Sequence, residues 1–171
     1  MSFYKRVLCC ILALLILCPL AFAASGNLGI SVEDLVTGMD DMLAPFKAIG
    51  MPCYPLEYSE KDLTAKTVLK LLTKHTSMSI SHEDGVVKSF KVFSDEDNGE
   101  DSDNRTNEIM TTCVCAMLLT SDAINEDNAV SILTDIVTDR QPHVYGNVSY
   151  RYVTGQPFTS VVALEVMPVS E

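Results

Sequence analysis

The 171-residue chain has no tryptophan, only 12 Lys and Arg against 23 Asp and Glu, and only one long apolar run, at its start. The charge deficit leaves a net of −11. A surface of that sign repels phosphate backbones and anionic lipid, which speaks against nucleic acid as a partner. Without a second apolar run there is no later transmembrane span, which needs roughly 20 residues. The eight glycines are scattered singly, with no G-x-G-x-x-G fingerprint and no phosphate loop. No G-x-S-x-G elbow surrounds a serine. His82-Glu83 lacks the second histidine of a zincin helix, and no C-x-x-C is present. These absences imply no cofactor and nominate no catalytic residue.

What is present begins with the N-terminus. Lys5 and Arg6 precede an apolar stretch from Val7 to Leu17, followed by Pro19 and Ala21-Phe22-Ala23-Ala24. A charged start, a short apolar run and an A-x-A site are the parts of a cleavable secretory signal. Cys18 suggests a lipoprotein, but Leu17 stands where such signals want a small residue and Pro19 follows at once. The expectation is cleavage after Ala23, giving a signal peptide 1–23 and one globular domain 24–171, secreted or periplasmic. That domain holds 148 residues, an ordinary domain size. With Lys5 and Arg6 gone, 10 basic residues face 23 acidic ones, a net of −13.

Cleavage also removes Cys9, Cys10 and Cys18, leaving Cys53, Cys113 and Cys115. In an oxidising compartment three cysteines allow at most one internal bridge. Cys113 and Cys115 project about 200° apart on a helix and cannot easily bridge each other. The expected bridge therefore joins Cys53 to Cys113, with Cys115 as the alternative.

Two further groups stand out. Asp95, Asp97, Asp101 and Asp103 sit in an acidic stretch that also holds Glu96 and Glu100. It is a weak Ca²⁺ candidate, because no register supplies the Asp, Gly and Glu positions of an EF-type loop; a solvated loop is the expectation. Tyr145, Tyr150, Arg151 and Tyr152 combine residue types favoured at binding surfaces and form a candidate interaction patch. Asn104-Arg105-Thr106 and Asn147-Val148-Ser149 fit the N-glycosylation sequon.

Local patterning sets the fold. Ser31 with Asp34 three residues on reads as a helix start, and Leu35, Met39, Met42, Phe46 and Ile49 give one apolar stripe ending at Gly50. Pro52 and Pro55 mark an extended connection. Residues 61–75 fit either element, with a strand over Lys66–Thr73 preferred. Thr76–His82 and Val86–Phe93 alternate around Asp84-Gly85, a hairpin turn. Asp103–Leu119 is a helix apolar almost all round, hence buried, and a second helix begins near Asn125. Strands Val144–Thr154 and Phe158–Met167 close the chain as an antiparallel pair.

The order α-β-β-β-α-α-β-β predicts an α+β fold, an antiparallel sheet of about five strands with helices on one face. This layout is similar to that of small secretion-chaperone-type domains, a likeness of topology carried by no motif. The function expected is a non-enzymatic module binding a protein or small ligand through its sheet face or edge. The alternative is an exported hydrolase or metal-dependent enzyme whose site is assembled from distant residues.

Overall fold

The structure, a computed structural model, describes residues 26–65, 67–94, 101–154 and 162–169. Helix α1, Val32–Ala48, starts at the expected cap: Ser31 is extended and its Oγ accepts from the Asp34 N–H at 2.9 Å. Leu35, Met39, Leu43 and Phe46 form its buried stripe. Leu43 fills the place expected of Met42, and Ile49 lies past the last turn, largely in solvent. Pro45 is accommodated inside the helix.

Residues 51–58 form no regular element beyond the bridge at Cys53, and a capping box between Ser59 and Asp62 opens a 3-10 turn over Glu60–Thr64. The ambiguous stretch then resolves as strand β1, Thr67–Leu71. Strands β2, Thr76–Glu83, and β3, Val86–Ser94, form the hairpin. Asp84 and Gly85 have φ of +52° and +80°, the paired positive values that a two-residue hairpin turn of type I′ requires. A bulge between Ser81 and His82 shifts the register next to this turn. Val87 therefore enters the core, although it lies out of step with Phe90 and Val92 on the same strand.

Helix α2, Ser102–Thr120, buries Cys113, Val114, Cys115, Ala116 and Met117 in succession, the all-round burial its composition demands. It touches α1, β2, β3 and helix α3, Ala129–Asp139. Gly38 faces Leu119 where α1 meets α2: a Cβ there would lie 2.7 Å from Leu119 Cδ1, so the leucine side chain would have to shift. Helix α3 starts later than Asn125, because Asn125 and Asn128 first close a turn on each other's backbone N–H groups.

Strands β4, His143–Tyr145, β5, Val148–Thr154, and β6, Val162–Pro168, complete an antiparallel sheet of order β1-β2-β3-β6-β5-β4. Six strands stand where about five are expected, because a turn at Gly146 (φ +63°) divides the expected Val144–Thr154 strand into β4 and β5. Met78, Ile80, Phe90, Val92, Leu164, Val166, Val148 and Tyr150 line one face of the sheet and are buried under the helices. The α+β architecture, an antiparallel sheet with helices on one face, is that expected from the element order. Among the described residues no helix is long and apolar enough to cross a membrane.

Candidate interaction surface

The helices cover one face and leave the other open. Register fixes what that open face carries. One row across the sheet reads Leu69, Ser79, Lys91, Glu165, Arg151, and the next reads Leu71, Ser77, Phe93, Ala163, Val153. The first row is polar at its centre: Lys91 Nζ lies 3.0 Å from Glu165 Oε1, and Arg151 donates through Nε to Glu165 Oε2 at 3.0 Å. Burial under these two side chains would raise the Glu165 pKa, but hydrogen bonds from Lys91 and Arg151 outweigh it and hold the carboxyl below its ordinary value. The second row is mostly apolar. At the β1 end both rows finish in exposed leucines, Leu69 at 67% and Leu71 at 50% exposure.

β1 is also an edge strand. Among the described residues, the backbone of the 51–58 connection pairs on its free side only just past its end, where Cys53 bridges Thr73 and the Tyr54 N–H donates to the Leu72 carbonyl at 2.9 Å. Pro55 has no N–H to continue the ladder, and the chain departs. A cavity of about 520 Å³ opens between Tyr54–Glu57 and Leu69–Leu71. Lys70 spans its floor, with Nζ 2.7 Å from Asp62 Oδ2 and 2.6 Å from the Glu57 carbonyl.

The tyrosine-arginine patch is not one surface. Tyr150 is wholly buried on the helix side, its hydroxyl 2.9 Å from Thr120 Oγ1. Tyr152 shares that side, beneath the Arg140 guanidinium at 5.9 Å. Tyr145 is half-buried, stacked with His143 at 6.5 Å and near Tyr150 at 6.3 Å. Arg151 alone of the four lies on the open face. Alternation along β5 separates it from its neighbours, since adjacent residues point to opposite faces.

Neither the expected Cys53–Cys113 bridge nor the Cys115 alternative is shown: Cys53, Cys113 and Cys115 are free thiols in the structure. The rotation of α2 explains the choice of neighbour. Cys115 Sγ lies 3.9 Å from the Met42 carbonyl and Cys53 Sγ 3.8 Å from the Leu43 carbonyl, so these two thiols approach successive groups of one α1 turn. Burial pushes Cys53 up to about 11 and Cys115 up to about 12, the latter with a contribution from Cys53, and raises Cys113 as well.

Of the Ca²⁺ candidates, Asp95 and Asp97 lie outside the described residues. Asp101 carries its own partners: Lys74 Nζ at 2.8 Å, His75 Nε2 at 3.3 Å and the Asn104 amide. Asp103 is exposed on the first turn of α2. Among the described residues no group of three or more His, Cys, Asp or Glu is placed to hold a metal. The sequon residue Asn104 lies on that same exposed turn of α2, and Asn147 in the β4–β5 hairpin.

Beside Asp101 lies a cluster that motif reading missed. Glu108 on α2 is only 3% exposed, and its Oε2 accepts from Thr73 Oγ1 at 2.6 Å and from the His75 N–H at 2.9 Å. Buried Arg105 donates to Ser94 Oγ at 3.1 Å. The sequence signal was Arg105 and Glu108, one turn apart and directly before the apolar part of the helix that begins at Ile109. These contacts tie the β1–β2 corner to the start of α2.

Comparison of the chain with protein-family models, curated proteins and solved structures returns no match.

Proposed function

We propose that this chain is an exported, non-enzymatic interaction module that engages a protein or small ligand through its open sheet face and the adjoining β1 edge. Export rests on the charged, apolar and Ala21-Phe22-Ala23 segments of the first 23 residues. The observation that carries the binding role is the asymmetry of the sheet: three helices on one face, and on the other a row ending in exposed Leu69 beside a mostly apolar row ending in exposed Leu71. Apolar side chains left together in water mark a surface that gains free energy when a partner covers it.

A photo-crosslinking amino acid placed at Leu71 or Lys91, with Thr134 on the exposed side of α3 as control, tests the reading in the exporting cell. Discrete adducts from positions 71 and 91 and none from 134 support it. Equal labelling from all three, or none from any, removes it. N-terminal sequencing of the secreted form should begin at Ala24, and a product that retains Met1 would contradict export.

A further inference from the structure

We propose that the edge of β1 takes up an extended, basic peptide segment of a partner protein by strand addition. This deepens the reading of the sheet as a binding surface and rests on it.

Strand addition needs a free edge, and natural edges are blunted by proline, bulges or an outward lysine. β1, Thr-Val-Leu-Lys-Leu, has no proline and pairs with β2 in unbroken register. Its one charged residue, Lys70, is drawn off the edge into the Asp62 carboxylate and the Glu57 carbonyl. The usual gatekeeper is thus spent on an internal contact. The chain itself begins the same reaction: Cys53 and Tyr54 add to the end of β1 at Thr73 and Leu72 and stop at Pro55. An incoming strand would continue that line past Leu71 towards Thr67. Along this path it meets the cavity walled by Tyr54, Pro55, Leu56, Leu69 and Leu71, which fits alternate apolar side chains.

Charge selects the occupant. Among the described residues Lys70 is the only cation lining the groove and is neutralised by Asp62, whereas Glu57 on the rim pairs with no cation. Tyr58 next to the groove has its pKa raised by burial and by Glu33, Glu60 and Asp62, so the surrounding field is negative. A segment alternating Lys or Arg with Val or Leu complements both features. A second copy is the poorer fit. Antiparallel pairing of two β1 edges about Leu69 would bring each copy's Cys53–Tyr54 segment against the start of the other's β1.

Capped seven-residue peptides test this with the full mature chain: one alternating Lys and Val, one alternating Glu and Val, and one Lys-Val peptide with proline at its centre. The Lys-Val peptide should bind by fluorescence anisotropy and slow amide exchange within Thr67–Leu71. The Glu-Val and proline peptides should bind at least tenfold more weakly. Glu57→Lys should reverse the preference between the Lys and Glu peptides, a readout that misfolding cannot produce. No binding by the Lys-Val peptide, binding indifferent to the central proline, or protection elsewhere overturns the proposal. So does concentration-dependent dimerisation of the wild type that Leu69→Lys abolishes, because the edge then serves a second copy. If the peptides fail while crosslinks from Leu71 and Lys91 persist, strand addition falls and the sheet-face reading survives.

Discussion

The hydroxyls of Tyr150 and Thr120 lie 2.9 Å apart, sealed between strand β5 and helix α2. Thr120 Oγ1 donates to the Ala116 carbonyl at 2.7 Å, so the tyrosine supplies the second hydrogen of the pair. Burial, partly offset by Thr120 and Ser121, pushes the phenol up to about 12. Tyr150 is therefore a core residue whose polar tip has been satisfied, not part of a docking patch.

Tyr150→Phe should cost about 0.5–1.5 kcal/mol, because Thr120 keeps its bond to Ala116 and only the shared contact is lost. Tyr150→Ala should cost about 3–5 kcal/mol through the cavity it opens. Urea denaturation measures both. A Phe variant as damaged as the Ala variant would show that the hydroxyl, and not the ring, holds the helix to the strand.

Acid should destabilise the fold in a defined window. Asp101 is held down from its ordinary 3.8 to about 2 by hydrogen bonds from Lys74, Asn104 and His75. Asp62, Asp139, Glu83 and Glu165 are also lowered. A carboxyl whose folded pKa lies below its unfolded value binds fewer protons when folded, so its stabilisation is present above the unfolded pKa and lost as pH falls through the folded one. For Asp101 that window runs from 3.8 down to about 2. Chemical denaturation at a series of pH values should show stability falling across it, with a shallower fall in Asp101→Asn. An unchanged slope in that variant would mean Asp101 does not carry the dependence.

The thiols should be nearly inert while the chain is folded. With its pKa pushed to about 11, Cys53 is thiolate in roughly one molecule in a thousand at pH 8. Cys113 and Cys115 are buried as well as raised. Under native conditions Cys53, the half-buried one, should react first with a maleimide, and the other two only after denaturant is added. Mass spectrometry of a labelling time course decides the order. Equal native rates for all three would show that α2 detaches readily from α1.

Much of the architecture could be read from residues whose local chemistry admits one answer. Ser31 and Asp34 can cap only a helix start, and Asp84-Gly85 tolerates the paired positive φ values that most residues resist. Tyr150 and Arg151 were harder. Alternation along a strand shows that neighbours face opposite ways, but which way is inward depends on where the helices settle. Two local deviations also escaped periodicity: the bulge at Ser81/His82, and the Gly146 turn that sets off three-residue β4. The open face and the β1 groove exist only after register is fixed, since Leu69, Lys91 and Arg151 meet across strands distant in sequence.

The last prediction concerns Glu108, which holds the β1–β2 corner against α2. Its Oε2 receives the Thr73 hydroxyl and the His75 N–H, and Thr73 Oγ1 in turn accepts from the Thr76 N–H at 3.1 Å. Glu108→Leu removes the acceptor shared by two buried donors, a loss of about 2–6 kcal/mol at about 1–3 kcal/mol for each group, reduced by what the Thr73 hydroxyl recovers from Thr76 Oγ1 at 2.7 Å and the His75 N–H from Thr73 Oγ1 at 3.3 Å. Glu108→Gln keeps an oxygen at the same reach and should cost less. Thr73→Val leaves the carboxylate with one donor fewer and should be destabilising by itself. In the double variant Thr73→Val, Glu108→Leu, the hydroxyl and the carboxylate leave together, so one donor and its acceptor vanish as a pair. The double loss should therefore fall short of the sum of the single losses by at least about 1 kcal/mol, the coupling expected of residues in one network. Urea denaturation of the four proteins closes this cycle. Additive losses would mean that the 2.6 Å contact contributes nothing of its own.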